Sequence, residues 1–155
     1  QQDQYSAVYG GIHAYDFTTR TLRPIHTDLS PPLHLFYTGT RREHEPVAID
    51  PPTARLQAAS AIAALEHNDP ALLGACLLDQ WHTKLEAQPS TFHEGMNQAI
   101  QAGMRLGAYG GKLIGAGAGG FLLFVANDPL PVRDMARMGL THVPFTIDNQ
   151  GTELL

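Results

Sequence analysis

The chain has 155 residues, a length that suits one domain with its own hydrophobic core better than two complete domains. Its formal net charge is −5 and its basic residues form no cluster larger than Arg41 and Arg42, which argues against nucleic acid as a partner and favours a small molecule. Hydrophobic residues make up 43% of the chain, yet no stretch approaches the ~20 apolar residues of a membrane helix, so no membrane partner is expected.

A polar segment begins the chain, and a β-hairpin is predicted after it. Residues 12–17 alternate apolar and polar side chains as a strand does, residues 18–20 are typical of a turn, and residues 21–25 return as a second strand. Pro24 has no N–H to donate to a neighbouring strand, so it restricts the second strand to an edge. We therefore expect the hairpin at the margin of a sheet.

The Ser-Pro-Pro run at residues 30–32 is the best candidate for a domain boundary. Two prolines cannot continue a central strand and force an extended connection. We therefore expect residues 1–30 to be the remnant of one domain and residues 31–155 to form a second. The second domain starts with a short apolar strand at residues 33–38, which ends at Gly39.

Three helices are predicted next, each with its own start signal. Asp50 and Asp69 each precede a proline, the pattern of a capping carboxylate before a proline in the first turn. Thr91 and Glu94 form a capping box for the third helix, and Gly107 is its expected stop. The apolar faces of the three helices are predicted from residues at helical spacing: Leu56, Ala59, Ile62, Leu65, Leu73, Cys76, Leu77, Trp81, Phe92, Met96, Ala99 and Ile100.

The last third of the chain is rich in glycine and strand formers. A glycine-rich strand pair ends in a buried-strand run at residues 121–126, followed by a short helix at 131–138 and a last strand at 143–147, which Pro144 places at an edge. Strand, helices, strand pair, helix and strand together predict an α+β fold, with one antiparallel sheet and helices on one face.

The glycines of this region allow two interpretations. A loop with glycine at alternating positions can present bare N–H groups to an anion. A tight β-turn whose glycines let two elements pack closely explains the same residues. The spacing is not that of a Walker loop, and the loop leads into a strand, whereas a dinucleotide-binding loop leads into a helix. The glycines concerned are Gly107, Gly110, Gly111, Gly115, Gly117, Gly119 and Gly120.

Two motifs at opposite ends of the chain resemble those of one enzyme family. The run G-A-Y-G-G-K-L-I-G-A-G-A-G-G-F-L-L-F at residues 107–124 resembles the third conserved motif of the GHMP kinases. The run Q-D-Q-Y at residues 2–5, followed by Gly10 and Gly11, resembles the G-x-x-D-Q segment of the sugar kinases in that family. We therefore expect the GHMP kinase C-terminal, ferredoxin-like domain and a kinase function.

Within the family, the chain is most similar to the D-glycero-D-manno-heptose 7-phosphate kinases. The shared motifs lie at residues 2–11, 33–42, 77–84 and 107–124, so the likeness covers nearly the whole chain. Fucokinase-like and galactokinase-like members share parts of the pattern. Ala118 departs from it, because many relatives have a further glycine there.

The resemblance assigns expected roles to individual residues. Asp3 matches the catalytic carboxylate, which orients the attacking sugar hydroxyl and takes its proton; an isolated aspartate there would otherwise cap a helix or be solvated. Residues expected to contact the substrate are Gln4, Gly10, Gly11, Thr38, Gly39, Arg41 and Arg42. Residues of the third motif expected to line the site are Lys112, Gly115, Ala116, Gly117, Ala118, Gly119 and Gly120.

Several of these side chains have a plainer interpretation. Arg41 and Arg42 suit a bidentate clamp on a sugar phosphate, or they form a solvated loop pair. Lys112 suits neutralisation of a phosphate near the glycine loop, or it lies along the strand edge with its head in water. Trp81 is expected to pack in the core and Lys84 to be solvated.

The expected cofactors are ATP and Mg²⁺, because phosphoryl transfer needs the phosphate charge neutralised. The chain contains no P-x-x-x-G-L-G-S-S loop, which in the family holds the nucleotide phosphates, and it begins at Gln1. We therefore expect the metal ligands to lie outside this chain, in a longer parent protein, and the chain alone to be inactive. A homodimer is compatible with these features.

Cysteine and histidine content points to no metal site within the chain. Cys76 is the only cysteine, which excludes an internal disulfide and makes the reducing cytoplasm the expected location. The eight histidines show no metal-binding spacing such as H-E-x-x-H. Two alternatives to a sugar kinase remain: a mevalonate-type or homoserine-type kinase, and a non-catalytic ferredoxin-like ligand-binding or interaction domain whose glycines serve packing alone.

Overall fold

The computed structural model describes residues 2–27, 33–40, 49–114 and 120–152. The predicted domain junction at residues 30–32 lies outside these ranges. The elements in chain order are α1 (Gln2–Tyr9), β1 (His13–Asp16), β2 (Thr21–Pro24), β3 (Leu33–Tyr37), α2 (Pro51–Glu66), α3 (Pro70–Ala87), α4 (Thr91–Arg105), β4 (Gly110–Leu113), β5 (Phe121–Val125), α5 (Val132–Arg137) and β6 (Thr141–Val143).

The main sheet has four strands in the order β4-β5-β3-β6, and every neighbouring pair is antiparallel. Its centre is the β3–β5 pair, in which Phe36 lies opposite Leu122 and Tyr37 opposite Phe121. The α+β prediction is therefore confirmed. Strands β1 and β2 form the predicted hairpin but make a separate two-stranded sheet, rather than the margin of the main sheet, in the part of the chain that the structure describes.

The core lies between the main sheet and the helices. Phe36, Leu122 and Phe124 project from β3 and β5 into a cluster with Trp81 of α3 and Ile100 of α4, and all five side chains are fully buried. A second cluster joins α2 and α3 to β5 through residues that include Ala64, Leu73, Leu77 and Val125. The predicted apolar faces of α3 and α4 are confirmed.

The apolar face predicted for α2 is wrong at its first two positions. Leu56 is 72% exposed and Ala59 is exposed as well, whereas Ala64, which the prediction did not include, is fully buried. Helix α2 packs on α3 through small side chains near its C-terminal end, so the large side chain at Leu56 projects away from that contact.

Helix α3 and the edge strand β4 approach so closely that the contact excludes side chains. A Cβ atom added to Gly110 would lie 2.6 Å from the carbonyl carbon of Gly74, and one added to Gly74 would lie 2.9 Å from the Gly110 nitrogen. Both values are below the distance that real Cβ atoms adopt. At Gly110, the interpretation of the glycines as packing residues is confirmed, whereas Gly74 was not part of that prediction.

Most helix ends follow the sequence signals. The side chains of Asp50 and Asp69 each accept a hydrogen bond of 2.9 Å from a backbone N–H in the first turn of α2 and α3. Gly107 follows the end of α4 with a φ of 111°, a conformation that glycine adopts without strain. These three predictions are confirmed.

The predicted capping box of α4 is shifted by one residue. Ser90, not Thr91, is the N-cap, and its hydroxyl accepts a hydrogen bond of 3.1 Å from the His93 N–H. The backbone at Ser90 is extended, as an N-cap requires, while Thr91 is the first helical residue. Two adjacent hydroxyl residues compete for this role, and Glu94 therefore falls one position beyond the box.

Two differences concern the ends of the chain. The opening polar segment, for which no helix was predicted, forms α1 at residues Gln2–Tyr9. The carbonyl oxygens of Ala7 and Val8, near the end of this helix, accept hydrogen bonds from the distant Thr152. The last strand ends at Val143 instead of residue 147, since Pro144 has no N–H to extend the pairing with β3. In the described ranges, no helix has the length and apolar character needed to span a membrane.

Candidate functional site

The end of strand β3 is tied to the end of the glycine-rich loop. The Thr38 N–H donates a hydrogen bond of 2.8 Å to the Gly120 carbonyl oxygen, and the Thr38 hydroxyl donates a second one of 3.0 Å to the same atom. The Thr38 side chain is buried, and its oxygen lies 2.7 Å from the hydroxyl of Thr40. Two segments predicted to share a site, which are 82 residues apart in the chain, therefore meet at Thr38 and Gly120.

The glycine-rich segment connects two adjacent strands. The Ile114 N–H donates a hydrogen bond of 2.9 Å to the Phe121 carbonyl, which extends the β4–β5 pairing up to the loop. Residues 115–119, predicted to line the site, lie outside the described ranges, as do Arg41 and Arg42.

Two glycines with a positive φ lie where the end of β3 meets the glycine-rich segment. Gly120 has a φ of 106°, and among the described residues no atom other than those of its chain neighbours lies within 4 Å of the position that its Cβ would take. Gly39, next to Thr38, also has a positive φ, at 73°. A positive φ favours glycine, and the space that the described residues leave free at Gly120 gives a ligand group room to approach the main chain. These two positions are compatible with a phosphate-bearing ligand such as ATP at the loop.

The motif predicted to carry the catalytic carboxylate lies on a helix. Asp3 and Gln4 belong to the first turn of α1, and their side chains are not among those that the structure describes. Gly10 and Gly11 follow the helix with φ values of 61° and 63°. A Cβ on Gly10 would lie 2.5 Å from the Gly151 nitrogen, so this glycine is required by packing against the C-terminal segment.

A cavity that the sequence did not predict adjoins α1. It encloses about 390 Å³ between α1, the β1–β2 hairpin and α2. Its walls include Tyr5 and Tyr15, whose rings stack with centroids 4.4 Å apart, and Phe17, which meets Tyr15 edge to face at 4.3 Å. The repeated aromatic residues of the first 17 positions were the available signal. These aromatic residues do not indicate a cavity unless residues 2–9 are predicted to form a helix, and no helix was predicted there.

Lys112 of β4 is turned toward helix α3. Its ammonium group donates a hydrogen bond of 2.5 Å to the side-chain oxygen of Gln80. Burial and, to a smaller extent, the nearby positive charge of Lys84 together lower the pKa of Lys112 to about 8. Burial also lowers the pKa of Lys84, so neither lysine has the freely solvated head that the plainer interpretation expected.

Trp81 has the structural role that was expected for it. Its ring is fully buried, and its indole N–H donates a hydrogen bond of 3.2 Å to the side-chain oxygen of Asn97. In the described part of the chain, no group of three histidine, cysteine or acidic residues is placed to hold a metal ion.

Comparison with known proteins identifies the domain. Residues 61–139, about half of the chain, match the family described as GHMP kinases C terminal. The chain therefore belongs to the GHMP kinase C-terminal domain family, as its glycine-rich motif suggested. No curated protein sequence matches the chain significantly.

Solved structures of GHMP kinases share the fold. A protein provisionally assigned as a sugar kinase from Campylobacter jejuni is 25% identical, with a TM-score of 0.64 over 97% of this chain and 49% of its own. A D-glycero-D-manno-heptose 1-phosphate kinase from Bacteroides thetaiotaomicron is 22% identical, with a TM-score of 0.64 over 97% and 46%. A homoserine kinase from Cytophaga hutchinsonii is 15% identical, with a TM-score of 0.65 over 95% and 51%. The chain spans about half the length of each.

Proposed function

We propose that this chain is part of an ATP-dependent sugar kinase that phosphorylates the anomeric hydroxyl of D-glycero-D-manno-heptose 7-phosphate. The observation that carries the proposal is the pair of hydrogen bonds between Thr38 and Gly120, because it joins the predicted substrate segment to the glycine-rich motif of a GHMP kinase domain. A sugar acceptor is favoured over homoserine or mevalonate by the Q-D-Q-Y run at residues 2–5 and by the similarity to the sugar-kinase structure.

The chain's own residues would orient the acceptor and move its proton. The Asp3 carboxylate accepts the proton of the sugar hydroxyl as the bond to phosphorus forms, because an alcohol is a poor nucleophile until that proton is taken. Thr38 and Gly39 contact the sugar from the end of β3. Because Gly120 has no side chain, it allows the phosphate groups of the bound ligand to approach the backbone. When bound, ATP would supply the γ-phosphoryl group, whose bond to the bridging oxygen breaks so that ADP leaves, and Mg²⁺ would neutralise the charge of the phosphates.

The proposal also states that the residues that bind ATP and Mg²⁺ lie outside this chain, in the complete gene product. The chain lacks the P-x-x-x-G-L-G-S-S loop, which the family resemblance links to binding of the nucleotide phosphates. We infer that the 155-residue chain alone does not turn over ATP and that the complete gene product does, in the cytoplasm. ADP release by the isolated chain at the rate of the complete product would contradict this inference.

Substrate profiling tests the function directly. The complete gene product is given ATP and Mg²⁺ with heptose 7-phosphate, fucose, galactose, mevalonate or homoserine, and ADP release is followed in a coupled assay. We expect turnover to be fastest with heptose 7-phosphate. Turnover of mevalonate or homoserine alone would move the protein to another branch of the family, and turnover of none would favour a non-catalytic domain.

A further inference from the structure

Helix α1 ends against a segment from the far end of the chain, residues 148–152, which we name the C-terminal clasp. The last carbonyl groups of a helix have no hydrogen-bond partner within it. The Ala7 carbonyl oxygen accepts a hydrogen bond of 2.9 Å from the Thr152 hydroxyl, and the Val8 carbonyl oxygen accepts one of 3.2 Å from the Thr152 N–H. A residue 145 positions from Ala7 therefore satisfies two carbonyl groups at the end of α1.

Two glycines allow this close approach. Gly10 and Gly151 both have a positive φ, at 61° and 68°. A Cβ atom added to Gly151 would lie 2.7 Å from the Gly10 nitrogen and would also collide with the Val8 carbonyl oxygen. The backbone of the clasp therefore lies directly on the backbone at the end of α1, with no room for a side chain between them.

Asp148 gives the clasp its shape and attaches it to the chain after α1. Its side chain accepts a hydrogen bond of 2.9 Å from the Gln150 N–H, which forms a local turn. Its carbonyl oxygen accepts a hydrogen bond of 2.5 Å from the Gly11 N–H. The clasp is thus fixed on both sides of the turn that follows the helix.

The position of α1 depends on contacts with other parts of the chain. The helix has eight residues, and a helix of that length is marginal in water without tertiary contacts. Val8 and Tyr9 are about half exposed, while Tyr5 stacks on Tyr15 of the hairpin with ring centroids 4.4 Å apart. The aromatic stack contacts the helix near its middle, and the clasp holds its C-terminal end.

We propose that the C-terminal clasp positions α1 so that Asp3, in the first turn, meets the acceptor hydroxyl, with Thr152 as a positioning residue. The proposal rests on the proposed function, because it takes Asp3 as the base. Ala7 lies four residues after Asp3, a rise of about 6 Å along the helix axis. A shift at the end of so short a helix reaches its first turn, and a misplacement of about 1 Å can cost about 100-fold in rate.

Kinetics of the complete gene product, with the acceptor that it turns over fastest, test the Thr152 hydroxyl. Thr152→Val should lower kcat and kcat/KM by the same factor, about three- to tenfold, because a misplaced base weakens only the transition state. Thr152→Ser keeps the hydroxyl and should keep near-normal kcat. Thr83→Val is the matched control, since the Thr83 hydroxyl also donates to a helix carbonyl, that of Asp79, at 3.0 Å; its kcat should be near normal. A serine variant as slow as the valine variant would overturn the role of the hydroxyl.

A second pair of variants tests the clasp through its glycine. Gly151→Ala places a Cβ against the Gly10 nitrogen and should lower kcat about tenfold or more. Gly107→Ala is its matched control, because Gly107 also has a positive φ. Among the described residues, no atom other than those of its chain neighbours lies within 4 Å of the Gly107 Cβ position, so kcat should stay near normal. The use of two clasp positions keeps the test valid if one variant fails to fold.

A double-mutant cycle separates positioning of the base from a general loss of structure. If the clasp acts through Asp3, Thr152→Val should change the residual rate of Asp3→Asn by less than about twofold, because the carboxylate that it positions is already absent. Multiplying losses in the double variant, or normal kcat in either folded clasp variant, would overturn the positioning role and leave the kinase function intact. Turnover of no acceptor by the wild-type product would overturn the kinase function, and the positioning role with it.

Discussion

The hydroxyl of Thr38 is predicted to hold the end of the glycine-rich loop in place. The substitution Thr38→Val keeps the shape of the side chain but removes its hydrogen bonds to the Gly120 carbonyl and to the Thr40 hydroxyl. A hydrogen bond contributes about 0.5–1.5 kcal/mol net, and the Gly120 oxygen keeps its bond from the Thr38 N–H. We therefore expect the free energy of unfolding to fall by about 1–2 kcal/mol, which lowers Tm by about 2–8 °C for a chain of this length.

Thr141→Val is the matched control for this prediction. Thr141 is an exposed residue of β6, opposite Tyr37, and it undergoes the same isosteric change on a neighbouring strand. Calorimetry of both variants should show a loss for Thr38→Val and a change within about 0.5 kcal/mol for Thr141→Val. In the complete gene product, a loop displacement that costs about 1.4 kcal/mol in the transition state would reduce kcat/KM about tenfold. Equal stability of the two variants would refute the role assigned to the hydroxyl.

Two further predictions concern packing and pH. Gly110→Ala forces a Cβ against Gly74 and should destabilise the chain by about 3 kcal/mol or more. Gly95→Ala, in open space within α4, should stabilise the chain by about 0.5–1 kcal/mol. Denaturant midpoints check both variants, and a Gly110→Ala variant as stable as wild type would contradict the close contact. The Lys112 pKa is about 8 in the folded chain and near 10.5 in the unfolded chain. Between pH 8 and pH 10.5 the unfolded state therefore binds more protons than the folded state. The free energy of unfolding should rise with pH across this range, on the order of 2–3 kcal/mol in total. Lys112→Met should lack that rise in pH-dependent unfolding, and parallel curves for the two proteins would contradict the burial of the charge.

Features set by local sequence were predictable. An aspartate before a proline caps a helix through atoms within three residues, so the starts of α2 and α3 could be predicted from Asp50 and Asp69 alone. The start of α4 was less determined, since Ser90 and Thr91 are both good caps and only the backbone conformation at Ser90 decides between them. The antiparallel sheet followed from short apolar runs separated by glycine and proline.

Features set by distant contacts were not predictable. Helix α1 is stabilised at its end by Thr152, and a short polar helix gives no apolar period to detect. The position of the Lys112 head depends on how α3 lies against β4, which the Gly74–Gly110 contact fixes. In the candidate site, the meeting of Thr38 with Gly120 was suggested only by family resemblance, because no local pattern connects residues so far apart in the chain.

The central claim is that Asp3 is the base of a sugar kinase, and one kinetic comparison tests it most directly. The complete gene product and its Asp3→Asn variant are assayed with ATP, Mg²⁺ and heptose 7-phosphate, with Asp128→Asn, a change at an exposed aspartate, as the control. Loss of a general base typically costs about 10²–10⁴-fold in rate. We predict a kcat loss in that range for Asp3→Asn with Tm unchanged, and near-normal kcat for the control. Near-normal kcat in Asp3→Asn would contradict the claim.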